Sequence, residues 1–317
     1  MTNQLKKSEI LFLYETKYNI PNGDPFTGEQ RYDEETKKIL VSDVRIKRYI
    51  RDYLNEKELD IYVINDKTFA EGGESGSAAR IKSLQNKFKN EINDLQEKFK
   101  QQKKQFSPAL FVMTKCIDVR LFGGIATGKG DAVNLTGPVQ FALLNSSFNE
   151  VNLRIHQNTS VFTSSTENKQ GAIATTTVVP YSLIQIHGWL NPKVAEKTGM
   201  TEEDLKLMYE GLWYGTSGEG SSHSRSKVGQ NSVLLLEIDY PQNNQKIYEV
   251  DQLIKLIPKE DKKEEQLRSM DDYLLDFSKL FEIGKTDKIE KIRFYTEIES
   301  IKDLFTNNIL ALKKTEQ

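Results

Sequence analysis

The feature that most constrains the fold is the near-continuous apolar run "EILFLYETKY" at residues 9–18, with two others like it further along, "YSLIQIHGWL" and "NSVLLLEIDY". Runs of this length, rich in aromatic and branched side chains, read as β-strands. Between them lie stretches with helical spacing. In "VSDVRIKRYIRDYL", Ile46, Ile50, Tyr53 and Leu54 recur at the step of one helix face, and Ser42 stands where an N-cap would. "TEEDLKLMYEGLWYG" is a second helix, with Thr201 as its cap and acidic residues in its first turn. Ser107-Pro108 opens a third by cap and first-turn proline.

"LDIYVI" (59–64) and "GPVQFALLNSSF" read as further strands. From about residue 250 the chain alternates charged helical segments with one more strand, "KIRFYTEI". This succession predicts an α+β sandwich with helices on one face, and a ferredoxin-like core with large insertions fits the order. Two stretches stand apart from such a core. In 66–106, Ile81, Leu84, Phe88, Ile92, Leu95 and Phe99 step by three or four along an amphipathic helix dressed with lysines. Residues 154–180 are polar and threonine-rich and suit a projecting hairpin.

Composition narrows the chemistry. The single cysteine, Cys116, excludes an internal disulfide or a thiolate zinc cluster and fits a reducing cytoplasm. Three scattered histidines and the lack of an HExxH pattern make a histidine metal site improbable. No run approaches the ~18 apolar residues of a membrane span. The first apolar segment reads as a strand and not as a signal peptide. With 44 basic and 46 acidic residues the net charge is −2, so any nucleic-acid affinity must come from locally concentrated positive charge.

Three places concentrate it. In "RLFGGIATGKGD" (120–131), Gly123, Gly128 and Lys129 imitate a nucleotide-binding phosphate loop, but Gly130 replaces the metal-ligating hydroxyl and "GDAVNLTGPVQ" cannot begin a helix. The loop suits a polyanion backbone passing Arg120 and Lys129. Arg45, Arg48 and Arg51 step by three with Lys47 beside them, forming a positive ridge. "TSGEGSSHSRSKVGQ" (216–230) brings Arg225 and Lys227 among hydroxyls, a composition suited to positioning on a phosphate backbone. No GxSxG elbow accompanies its Ser-His pair. Asp24, in "PNGDP", reads as turn chemistry.

Taken together, "NIPNGDP", "LVSDVRIKRYIRDYL", "CIDVRLFGG", "LTGPVQF", "HQNTSVF" and "SRSKVGQ", in this order across residues 9–236, resemble the backbone subunit of CRISPR Cascade complexes, the Cas-seven family, most nearly its type I-B branch. The C-terminal quarter carries no matching motif. The resemblance implies one domain over 1–317: an RNA-recognition-motif-like palm, with 66–106 as helical fingers and 154–180 as a β-hairpin thumb. It implies copies assembled along a CRISPR guide RNA, thumbs displacing a base at intervals, and guide pairing with target DNA. The large subunit and the Cas-five-type and Cas-six-type subunits of Cascade would be partners, with no membrane, cofactor or enzymatic activity involved. RNA-binding roles are implied for Asn22, Arg31, Ser42, Arg45, Lys47, Arg48, Arg51, Arg120, Phe122, Gly123, Lys129, Gln140, His156, Gln157, Arg225, Ser226, Lys227 and Gln230. The alternative is a metal-dependent target-RNA nuclease using Asp24, as in related type III subunits.

Overall fold

A computed structural model describes residues 5–64, 76–127, 131–159, 173–218, 226–241 and 246–309. The chain begins with β1 (Ser8–Asn19), followed by the short β2 (Tyr32–Asp33) and by β3 (Lys38–Ser42), which leads directly into α1 (Asp43–Glu56). Four helices come next: α2 (Ser77–Lys87), α3 (Lys89–Gln101), α4 (Pro108–Lys115) and α5 (Ile117–Phe122). They are followed by β4 (Gly123–Ala126), β5 (Val133–Thr136), β6 (Val139–Phe141), β7 (Leu144–Ser146), β8 (Arg154–Thr159) and the long β9 (Ile173–Leu190). α6 (Pro192–Thr198) and α7 (Glu202–Ser217) precede β10 (Gln230–Asp239). The C-terminal part contributes β11 (Lys255–Pro258), β12 (Tyr273–Asp276), α8 (Ser278–Gly284), β13 (Lys291–Tyr295) and α9 (Glu299–Ile309).

The main sheet runs β13–β10–β1–β9–β6, antiparallel throughout, with β8 added to the far part of β9. β1 is its centre, pairing Ser8 with both Asp239 and Leu190. Its alternate residues go to different cores. Ile10, Phe12 and Tyr14 pack beneath α1 and α7, while Leu11 and Leu13 join a second cluster built largely from residues 247–305. A strand covered on both sides must be apolar at consecutive positions, which accounts for the unbroken "ILFLY". The expectation of helices on one face is therefore corrected: α8, α9 and the β11–β12 hairpin cover the other face. Phe305 of α9 anchors that cover, with its ring 4.9 to 5.2 Å from those of Phe277, Phe281 and Phe294.

A third, satellite core lies away from the sheet. Leu84 and Ile92 of the helical stretch meet Val112, Met113 and Cys116 of α4 and Ala126 and Val133 of the β4–β5 hairpin. The unit thus continues past residue 106. Its expected single helix is two, because the chain turns at Phe88 (φ −103°, ψ 23°), which closes α2 and opens α3.

Three further local expectations change. "LDIYVI" is not a strand: the amides of Tyr62 and Val63 donate to the Asp118 carboxylate at 2.8 and 3.0 Å, which replaces a ladder partner. "GPVQFALLNSSF" divides into β6 and β7, which pair with β9 and β3 in different sheets. The Ser42 side chain does not cap α1, whereas Thr201 closes a full capping box with Asp204 and Ser107 accepts from Leu110 N. Among the described residues no helix is long and apolar enough to cross a membrane.

Candidate nucleic-acid interface

One end of the sheet gathers the N-terminus of α1, the loop after β1 and the turn that leads into β10. Asn22 is the knot of the loop. Its Oδ1 accepts from the Ser42 amide at 2.7 Å and the Ser42 hydroxyl at 2.9 Å, and its own amide donates to Gln30 Oε1 at 2.9 Å. Asn22 and Ser42 are thereby occupied with each other and tie the loop to the start of α1. Asp24 holds the turn that was read from its sequence, with Oδ1 accepting from the Phe26 amide at 2.9 Å and Oδ2 lying 3.4 Å from Arg31. Those contacts, the Phe26 amide foremost, lower its pKa. Among the described residues no group of three or more His, Cys, Asp or Glu gathers around a common point.

Beside this loop, Arg45 and Lys227 form a different kind of environment. The Arg45 guanidinium lies over the Tyr49 ring, 4.2 Å from its centroid, and Tyr49 is fully buried. The Tyr49 hydroxyl is held by Gln230, whose Nε2 donates to it at 2.9 Å. Lys227 is also buried and donates to the Ile20 carbonyl. Burial, with the charge of Arg45 second, brings its ammonium down to about 7. Neither cation pairs with a carboxylate among the described residues, and Arg45 Nε and Nη2 are buried there without a hydrogen-bond acceptor. The Tyr14 hydroxyl, close enough to feel both Tyr49 and Arg45, is buried and unpartnered in the same way. A buried donor without an acceptor costs about 1–3 kcal/mol, and more when charged. Two basic groups and an orphaned hydroxyl, with no acid partner among the described residues, make a seat for an anion.

The backbone of this corner is fixed. Ile20 N donates to Ser226 O and Lys17 N to Gly229 O, each at 2.9 Å. Gly229 has φ +95°, and a Cβ there would lie 2.7 Å from Lys17 O.

The rest of the expected positive ridge is largely neutralised from within. Lys47 pairs with Asp43 at 2.9 Å and Arg48 with Asp52 at 2.6 Å, both one helical turn apart. Arg51 reaches the fully buried Asp118 at 2.9 Å. Phe122, itself buried, lies under both Lys47 and Arg51, with the charges 5.7 and 5.4 Å from its centroid. Arg120 is corrected most clearly. Its Nε and Nη2 grip both oxygens of Asp204 at 2.8 and 2.6 Å, and Nη1 donates to the carbonyls of Thr114 and Lys115. Those bonds engage every nitrogen of the fork, so Arg120 is an internal staple between α5 and α7 and has no edge left for a phosphate.

β4 and β5, on either side of residues 128–130, pair antiparallel, and the described residues after them continue as strands, not as the helix that a phosphate loop feeds. Gly123 (φ +76°) serves the chain's own crossing: a Cβ there would lie 2.1 Å from Leu135 O, and one on Gly137 2.1 Å from the Phe122 carbonyl carbon. Gln140 bonds the Gly137 carbonyl at 2.9 Å beside that crossing. His156 and Gln157 stand apart, exposed on the β8–β9 hairpin opposite Thr176 and Thr175. Lys129, Arg225 and the hairpin's tip (160–172) lie outside the described residues.

The structure thus brings together Asn22, Arg31, Ser42, Arg45, Ser226, Lys227 and Gln230. Tyr14 and Tyr49 complete the group and are absent from the sequence-based set. The four-residue step from Arg45 to Tyr49 is the one signal that marks the latter.

A family model described as "CRISPR-associated protein Cas7" matches residues 6–278. A "CRISPR-associated protein Cas7" of Haloferax volcanii is 30% identical over 300 residues, covering 88% of this chain and 82% of that protein. Among solved structures, a chain of a "CRISPR RNA-guided surveillance complex, pre-nicking" superposes with a TM-score of 0.54 at 12% identity, covering 92% of both chains. At that identity the likeness speaks for the fold alone.

Proposed function

The chain belongs to the Cas7 family of CRISPR-associated proteins, and from that premise we propose that it is a non-catalytic, RNA-binding backbone subunit of a type I Cascade surveillance complex, nearest the type I-B branch. The main sheet with α1 and α7 serves as the ferredoxin-like palm, the satellite helical unit as fingers and the β8–β9 hairpin as thumb. Copies line up along a guide RNA in the cytoplasm and present it for pairing with target DNA. The large subunit and the Cas-five-type and Cas-six-type subunits close the assembly.

The observation that carries this reading is the pair Arg45 and Lys227, two basic residues that pair with no carboxylate among the described residues. Every other basic residue of α1 has an acid partner, Lys47 with Asp43, Arg48 with Asp52 and Arg51 with Asp118. An exposed nucleobase offers such a seat no negative charge, whereas a phosphodiester offers one at every nucleotide and binds arginine through two oxygens. Contacts of this kind hold the strand in register without reading sequence, as a subunit repeated along a variable guide requires.

The test is the salt dependence of single-stranded RNA binding by the purified protein. Each phosphate contact contributes about 0.7 to the slope of log affinity against log salt. Arg45→Ala is expected to shallow the slope by about that amount while circular dichroism shows the fold retained. An unchanged slope in a folded variant would remove the site from the RNA path.

A further inference from the structure

We propose that Tyr49 and Gln230 act as positioning residues, holding the Arg45 guanidinium ready for a single phosphate; the inference rests on the backbone-binding reading above and adds the parts that make it a built site. A free arginine side chain samples many rotamers, and much of that freedom is lost when it is fixed on a ligand. Here most of that ordering is done before any ligand arrives. The guanidinium lies over the Tyr49 ring at 4.2 Å, so it rests against a side chain that is itself fully buried.

The ring in turn cannot turn away. Its hydroxyl receives Gln230 Nε2 at 2.9 Å and lies 3.1 Å from Gln230 Oε1, and it also approaches the Pro21 carbonyl at 3.5 Å. Gln230 is the first residue of β10, only 2% exposed, and its Nε2 also reaches the Thr216 carbonyl at 3.4 Å. The chain of support therefore runs from the end of α7 and the start of β10, through a buried amide and a buried phenol, to the arginine of α1 that pairs with no acid among the described residues.

What the clamp leaves over is chemically specific. Nε and Nη2, the two nitrogens along one edge of the guanidinium, lack an acceptor among the described residues. They match the spacing of two oxygens on one phosphate. These atoms are covered in the free chain, so a phosphate oxygen reaches them by displacing that cover; it then supplies the acceptor that both lack, with the neighbouring, likewise buried Tyr14 hydroxyl as a third donor. Lysine in place of Arg45 would keep the charge but not the flat guanidinium with its two-donor edge.

A double-mutant cycle on the full chain tests this, read as affinity for a single-stranded RNA of guide length, with thermal unfolding to check each variant. Tyr49→Phe leaves the ring under the guanidinium and takes away the hydroxyl's ties to Gln230 and to Arg45 itself. It is expected to weaken binding about fivefold to tenfold. In an Arg45→Ala background the same substitution is expected to do nothing further, since there is no longer a guanidinium to position. A merely structural loss would add in both backgrounds. Gln230→Leu removes the tie from the other side and is expected to behave identically, so it decides the matter if Tyr49→Phe fails to fold. Full affinity in Tyr49→Phe, or additive losses in the cycle, overturns the positioning role while leaving Arg45 in the RNA path. No loss in Arg45→Ala alone overturns the phosphate reading, and the positioning role with it.

Discussion

At the scale of single residues, Lys227 is the most informative group, because its charge is held where charge is costly. Its folded pKa of about 7 lies well below the ~10.4 of a free lysine. Between those values the unfolded chain binds more protons than the folded one, so this residue makes stability rise with pH from about 7 upward and exacts its full cost below. Anion binding follows the opposite course, since only the protonated ammonium attracts a phosphate. Affinity for single-stranded RNA is therefore expected to fall as pH is raised through 7, and Lys227→Met to flatten that dependence. Titrations at constant ionic strength between pH 6 and 8.5 check it, and a parallel decline in both proteins would contradict it. Little of this was legible beforehand. Lys227 was recognisable as one basic residue in a serine-rich loop, but the Ile20 carbonyl that it donates to and the Arg45 charge that helps lower its pKa are both far away in sequence.

At the scale of elements, α1 shows what periodicity reveals and what it omits. Its apolar face, with Ile46, Ile50 and Leu54 fully buried, follows directly from the spacing. The basic residues beside that face share one ridge in sequence and have separate tasks in three dimensions. Arg48 meets Asp52 on its own helix, but Arg51 meets Asp118, on α5, and no local pattern announces that partner. The same carboxylate caps the amides of Tyr62 and Val63, which is why "LDIYVI" fails to become a strand despite its composition. Removing Arg51 leaves Asp118 buried without its counter-ion, a loss of about 3–5 kcal/mol. Arg51→Ala is thus expected to lower the unfolding midpoint in urea markedly, and Arg48→Ala, whose ion pair is more exposed, to cost about 0.5 kcal/mol. Equal midpoints for the two variants would contradict the division of labour on this helix.

At the scale of the whole molecule, the motif-poor C-terminal quarter acquires a role that no motif could announce: it covers the second face of the main sheet, burying Leu11, Leu13, Leu234 and Leu236. The anion seat lies at one end of the sheet on the α1 side, so the chain presents unlike surfaces to its surroundings. Unlike surfaces joined head to tail make open helical arrays when the rotation does not close. Oligomers that lengthen with the RNA supplied are accordingly expected in light scattering, and a strict monomer with and without RNA would exclude the backbone role. The central position of β1 has a consequence for how the chain comes into being. Its first residue pairs with Leu190 on one side and Asp239 on the other, so the opening segment has no partner until most of the polypeptide exists. Contacts of such long reach slow the search for the native state. A ribosome-bound chain must keep "ILFLY", the most aggregation-prone kind of segment, waiting through the synthesis of everything between. Birth of this protein is therefore its most vulnerable moment, and a chaperone that shelters the nascent N-terminus should raise its yield more than any stabilisation of the finished fold.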